Sequence, residues 1–208
     1  MHESRMISRT LCGLGAILLL LAPGSALAQS RGAADPPSAS LQSASRQSQE
    51  HRLLLFNTHT GERLDIVYRR DDRYIPEALA KLDYFLRDHN TNEVRHFDPR
   101  LYDILFDLSA SVEHPGGEID IVCGYRTPST NESLRAHTTG VAKNSLHIQA
   151  EAIDLRMPGV DTLRLRRAAL ALHRGGVGYY PHSDFIHVDS GRVRQWCFDC
   201  PSSLVTGD

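Results

Sequence analysis

Lysine is almost missing from this 208-residue chain: Lys81 and Lys143 are the only two among 23 basic residues. Arginine supplies the rest, a bias that reads as coding preference more than function. Nor is there an excess of either charge. A net charge of −2 and a sequence pI near 6.6 leave no broad basic field for nucleic acid. The pattern H-E-x-x-H does not occur, which excludes the helix-borne zinc-protease motif. There are no internal repeats and no sign of a second domain, and the length suits one core of ordinary size.

Long hydrophobic runs are scarce too. The longest, Leu11 to Ala22, has 12 residues, against the roughly 20 that a membrane-spanning helix needs. Arg5 and Arg9 precede it, and Ala26-Leu27-Ala28 offers small residues at the cleavage positions. That is the layout of a secretory signal peptide over residues 1–28, with an uncleaved anchor as the alternative. The two arginines are not adjacent, which gives a twin-arginine route no support. Cys12 precedes most of the apolar run, the wrong place for lipidation. The expectation is export to the periplasm or cell wall, with no stable membrane span after cleavage.

Three cysteines remain after that cleavage: Cys123, Cys197 and Cys200. In an oxidising compartment Cys197 and Cys200 can close a small loop. Half of a zinc knuckle is the alternative, but no second pair completes four ligands. Cys123, in "EIDIVCGY", reads as a buried small hydrophobe with a protected free thiol.

Residues 29–50 are rich in Ser, Gln, Ala and Pro without apolar period, which describes a flexible tether. The folded domain is expected over residues 51–208. "HRLLLFN", "THTGE" and "RLDIVY" read as a β-hairpin. Pro76 opens a helix with Leu79, Leu82, Phe85 and Leu86 on one face. Asp98-Pro99 starts another, with a stripe of Leu101, Ile104, Leu105 and Leu108. "EIDIVCGY" reads as a strand and "RTPSTNES" as a polar stretch. Asp161 caps "TLRLRRAALALH", which stops at Gly175-Gly176, and two short strands, "VGYY" and "FIHVD", follow. The fold class expected is α+β, a small antiparallel sheet flanked by helices.

Within "NSLHIQAEAIDLR", His147 and Asp154 stand seven positions apart in an apolar-leaning run, and "FIHVD" adds His187. Each histidine alone is more often structural. Together, two imidazoles and one carboxylate make a three-ligand set for one catalytic zinc per chain, with a fourth position open to water. No cysteine lies near any of the three in sequence. Asp184, three residues before His187, is the favoured base; its alternative is a turn residue in "PHSDF". Asp189 is the rival base, because i, i+2 spacing on a strand puts it on the face of His187. Arg126, at a strand end, is suited to hold a developing oxyanion, or is a plain surface arginine.

"SLHIQAEAIDL", from Ser145 to Leu155, resembles the Ser-x-His-x-x-Gly-x-Ala-x-Asp signature of the zinc D-Ala-D-Ala peptidase family. That family includes vancomycin-resistance dipeptidases and shares its metal-site fold with hedgehog signalling domains. "GYRTP" is similar to its arginine motif and "HSDFIH" to its Asp/Glu-x-x-His motif. The pattern over residues 51–196 is nearest to the branch of murein endopeptidase K. The resemblance implies His147, Asp154 and His187 as zinc ligands, Asp184 as base and Arg126 as the oxyanion group. Ser145 and Tyr125, in the same motifs, are expected to bind substrate. Ala150 departs from the pattern, standing where the family has glycine. If that turn needs a positive φ, alanine costs on the order of 1 kcal/mol there.

The function expected is an exported zinc peptidase acting on peptidoglycan stem peptides, an endopeptidase that opens cross-links, of D,D or L,D type. Two alternatives stand beside it: a D,D-carboxypeptidase or dipeptidase of the same chemistry, and a zinc-containing domain that only binds the wall. Asp184 and Arg126 argue against the last, since a binder needs neither. Nothing in the sequence indicates an oligomeric state.

Overall fold

Residues 48–200 are described by the computed structural model. The expected signal peptide (1–28) and the tether up to residue 47 lie outside the described residues, as do residues 201–208. The hairpin forms as the alternation requires. Strand β1, Glu50–Asn57, buries Leu53 and Leu55, and β2, Arg63–Arg70, buries Ile66 and Tyr68. Asn57 sets the turn by accepting from the amides of His59 and Thr60 at 3.0 and 3.1 Å. A two-residue β3, Arg73–Tyr74, adds to the edge.

Helices α1, Pro76–Phe85, and α2, Arg100–Ser111, follow. After β4, Glu118–Cys123, the polar stretch that carries no apolar stripe folds as a third helix, α3, Pro128–His137. Its start is chemical rather than periodic: Pro128 opens it, and Thr127 Oγ1 caps it by accepting from Thr130 N at 3.1 Å. Strand β5, Ala152–Arg156, leads to α4, Thr162–Ala171, where Asp161 caps as expected through Arg164 N at 3.0 Å. Three strands close the order: β6, Gly176–Tyr180, β7, Phe185–Asp189, and β8, Arg194–Cys197. The last has no counterpart in the sequence reading.

The α+β class holds, but the sheet is neither small nor purely antiparallel. Eight strands run in the order β3-β2-β1-β4-β5-β7-β6-β8, with β1/β4 and β6/β8 parallel. The reason is the β1/β4 pairing, Leu54 opposite Glu118 through Asn57 opposite Ile121, which joins the early hairpin to the late strands. Parallel neighbours need a crossover, and α1 and α2 supply it. Helices α1, α2 and α4 cover one face of the sheet, over Leu55, Ile121, Ile153, Leu155, Val177, Ile186 and Val188. Strand alternation then sends Asp154, His187 and Asp189 to the opposite face.

A 3₁₀ turn, Leu146–Gln149, precedes β5 and ends on Ala150, whose φ and ψ of 56° and 39° are left-handed. The side chain is fully buried in the core. Backbone strain of about 1 kcal/mol there opposes a buried methyl worth about 0.8 kcal/mol. Ala150→Gly is therefore expected to change the unfolding free energy by less than about 1 kcal/mol, as the two effects cancel. Ala150→Val, β-branched at positive φ in a filled site, is expected to cost about 3 kcal/mol. Chemical denaturation of both variants measures the difference.

Candidate metal centre

The β5/β7 register sets Asp154 directly opposite His187. His147 comes from the 3₁₀ turn just before β5, where Ser145 Oγ accepts from His147 N at 3.4 Å. Three side-chain atoms meet. His147 Nε2 lies 3.2 Å from His187 Nδ1 and 3.2 Å from Asp154 Oδ1, and His187 Nδ1 lies 2.9 Å from Asp154 Oδ1. Ligand atoms held ~2.0 Å from a tetrahedral zinc are about 3.3 Å apart. The spacing fits.

The outward nitrogens are tied to groups that only accept. His147 Nδ1 donates to Gly124 O at 2.7 Å, and His187 Nε2 donates to Asp189 Oδ2 at 3.1 Å. Both neutral tautomers therefore turn a lone pair inward, beside the carboxylate of Asp154. Three acceptors converging without a donor call for a cation. The electrostatics of His147 and Asp154 agree. Burial lowers the His147 pKa. Burial would raise that of Asp154, but the two imidazoles outweigh it and hold the carboxyl well below the usual range. At His187 burial is likewise outweighed, and Asp154 and Asp189 raise the imidazole.

Asp189 shares the face of His187, as strand spacing requires, but its oxygens are already in use. Oδ1 accepts from Gly176 N and Gly191 N, both at 2.9 Å, and Arg194 grips both oxygens at 3.0 and 2.7 Å. It orients an imidazole and has no free side for proton transfer. That carboxylate–histidine arrangement is the usual outer support of a metal ligand.

The favoured base is not brought to the triad. Asp184 occupies a left-handed turn position, φ 52°, and its carboxylate accepts from Thr162 Oγ1 at the start of α4. It does not line the cleft in front of the triad. The turn requirement of "PHSDF" accounts for it. Tyr125 also departs from expectation: it is buried, and its hydroxyl donates to Glu93 at 2.8 Å, away from that cleft. Ser145 does line the cleft, and its Oγ accepts from Arg126 Nη2 at 3.2 Å. Arg126 lines it too, and its buried Nε has no protein partner. The segment carrying it is pinned on both sides, by Tyr125 N to Leu86 O at 2.8 Å and Thr127 N to Asp88 Oδ2 at 2.8 Å.

One donor had no signal in sequence. Cys123 pairs with Asp154 across β4/β5, and its Sγ lies within 4.8 Å of the ligand atoms of His147 and Asp154. Burial, with the Asp154 charge behind it, pushes the thiol up to about 12. Strand register alone made it a neighbour. Trp196, Tyr180 and Phe198 were missed as well; they line a cleft of about 410 Å³ in front of the triad, in which Asp154 is the only carboxylate among the described residues.

A family described as peptidoglycan L,D-endopeptidase MepK matches residues 45–196. The chain is 45% identical over 146 residues to the probable peptidoglycan L,D-endopeptidase MepK of Haemophilus influenzae, covering 70% of this chain and 78% of that protein. It is 41% identical over 146 residues to the peptidoglycan L,D-endopeptidase MepK of Escherichia coli K12, covering 69% and 79%. The match spans both histidines, Asp154, Asp189, Arg126 and Arg194, and the chain belongs to the peptidoglycan L,D-endopeptidase MepK family.

Proposed function

We propose that this chain is an exported, zinc-dependent endopeptidase that hydrolyses peptide cross-links of peptidoglycan. The observation that carries the reading is the convergence of three acceptors, His147 Nε2, His187 Nδ1 and Asp154 Oδ1, with both imidazole tautomers held from outside. His147, Asp154 and His187 would hold one zinc ion. Bound there, zinc supplies Lewis acidity to a peptide carbonyl and lowers the pKa of a water in the remaining position.

The chain's own residues do the rest. Arg126 lines the cleft with an always-charged guanidinium, and so is suited to take up negative charge developing on the carbonyl oxygen. Ser145 holds that guanidinium in place. Gly124 O and Asp189 keep the histidines aimed, and Arg194 keeps Asp189 aimed. Of the two cleft arginines Arg194 is held by Asp189, and Arg126, which has no carboxylate partner among the described residues, suits a substrate that bears a carboxylate. The relatives are named L,D-endopeptidases, so the bond proposed joins a residue of L configuration to one of D configuration. The signal-like layout of residues 1–28 supports export to the compartment where peptidoglycan is found.

Purified protein incubated with intact sacculi should lower the muropeptide dimers and raise the monomers, and a chelator should abolish the change. Loss of a terminal residue from monomers with dimers untouched would make it a carboxypeptidase. Zinc binding without any change in muropeptides would leave only the wall-binding reading.

Metal analysis should find one zinc per chain in the wild type and none retained through dialysis by His147→Ala, Asp154→Ala or His187→Ala. Asp189→Asn should keep the three ligands yet weaken zinc by about 10- to 100-fold, as loss of an outer partner does. Full occupancy in all four would remove the site.

Asp184→Ala is expected to keep zinc and hold turnover within about twofold of wild type, since the carboxylate serves Thr162 and a turn; a loss of ~100-fold or more, the range of a general acid–base group, would return it to proton transfer. Steady-state turnover on a purified dimer decides.

A further inference from the structure

The family match ends at residue 196, but the wall of the cleft does not. Cys197, the last residue of β8, forms a disulfide with Cys200, their Cα atoms 5.8 Å apart. Asp199, at φ 54°, reverses the chain inside that loop. Phe198 N donates to Tyr179 O at 2.9 Å, so pairing with β6 continues one residue past the strand. The Phe198 ring is thereby directed into the cleft, 5.8 Å from the ring of Tyr180.

Its other neighbour is Gly140, from the segment that follows α3. Gly140 has φ +82°, and a β-carbon there would fall 2.5 Å from the ring. Only glycine allows this approach. The ring therefore spans the gap between the end of the sheet and the 138–144 segment, both of which line the same cleft as Arg126 and the triad. Val141 and Phe185 add apolar lining to the same cleft, and Arg126 and Ser145 add polar lining.

We propose that Phe198, just past the residues that the family match covers, is a substrate-binding residue of this cleft, seated on Gly140 and clamped by the Cys197–Cys200 disulfide. It takes an uncharged, methyl-bearing portion of the stem peptide against its ring, while the polar lining takes the carbonyl and carboxylate groups. Aromatic faces suit this, because they offer a large rigid contact with little side-chain freedom to lose. The disulfide keeps the loop short, so the ring is in position before substrate arrives. The proposal rests on the cleft being the peptide site and deepens that reading.

The test is steady-state hydrolysis of a purified muropeptide dimer by wild type, Phe198→Ala and the Cys197→Ser/Cys200→Ser pair. Zinc content and binding are followed in parallel, the latter through the fluorescence of Trp196, the single tryptophan of the chain, on titration with an uncross-linked stem peptide. Phe198→Ala should raise KM and weaken peptide binding about tenfold, a change of about 1.4 kcal/mol, with kcat little altered and one zinc retained. The double serine variant should shift in the same direction. Phe198→Ala needs no disulfide and keeps the test valid if the serine variant folds poorly. An active wild type with KM and binding unchanged in Phe198→Ala overturns the role of Phe198 alone. A zinc-loaded wild type that neither cleaves nor binds the peptides overturns the peptide site and Phe198 together.

Discussion

The pairing of β5 with β7 is the constraint on which the site depends. It sets Asp154 opposite His187 and, two residues along, Ala152 opposite Asp189. A slip of one residue would turn His187 under the helices and expose Ile186 or Val188 on the open face. The buried apolar set of Ile153, Leu155, Ile186 and Val188 forbids that slip. Core packing on one side of the sheet therefore holds two side chains of the triad on the other.

Burying a carboxylate between two imidazoles is costly unless each polar atom has a partner. The chain meets that demand in layers. The outer imidazole nitrogens donate to Gly124 O and Asp189, Asp189 is met by two backbone amides and Arg194, and the three inner acceptors are left to a cation. On the His187 side the order outward from the centre is carboxylate, neutral imidazole, carboxylate, guanidinium. Such an order keeps the histidines aimed while the cleft stays open to a ligand. Gly178, opposite Trp196 in the β6/β8 pairing, contributes by having no side chain, since a β-carbon there would fall 2.6 Å from the indole.

The cleft is built from segments of different character. Arg126 sits on a short connection tied down by Leu86 O, Asp88 and His147 O. The aromatic lining leans on the parallel β6/β8 pair and the disulfide-closed turn. One part is held by hydrogen bonds to buried groups, the other by ring packing. That division matches a cleft with polar lining for carbonyl groups and apolar lining for side chains.

Local chemistry was legible in the sequence because it acts over a few residues. The hairpin, the capping by Asp161, the Pro76 helix start and the Cys197–Cys200 pairing depend on neighbours within a turn or two. The donor types of the triad were legible as well, since histidine and aspartate inside apolar runs are costly without a purpose. Register and side-chain direction were not. The parallel β1/β4 ladder that enlarges the sheet, the strand after Gly191, and the meeting of Cys123 with Asp154 join residues about 30 or more positions apart, or leave no periodic trace. Asp184 and Tyr125 stand in motif positions, yet a left-handed turn sends one carboxylate to Thr162, and a buried glutamate contact draws the phenol away. By itself the sequence determined which groups were available for metal and peptide chemistry; only the tertiary structure decided which of them face one another, because facing is set by strand register and rotamer, and those are chosen by packing across the whole sheet.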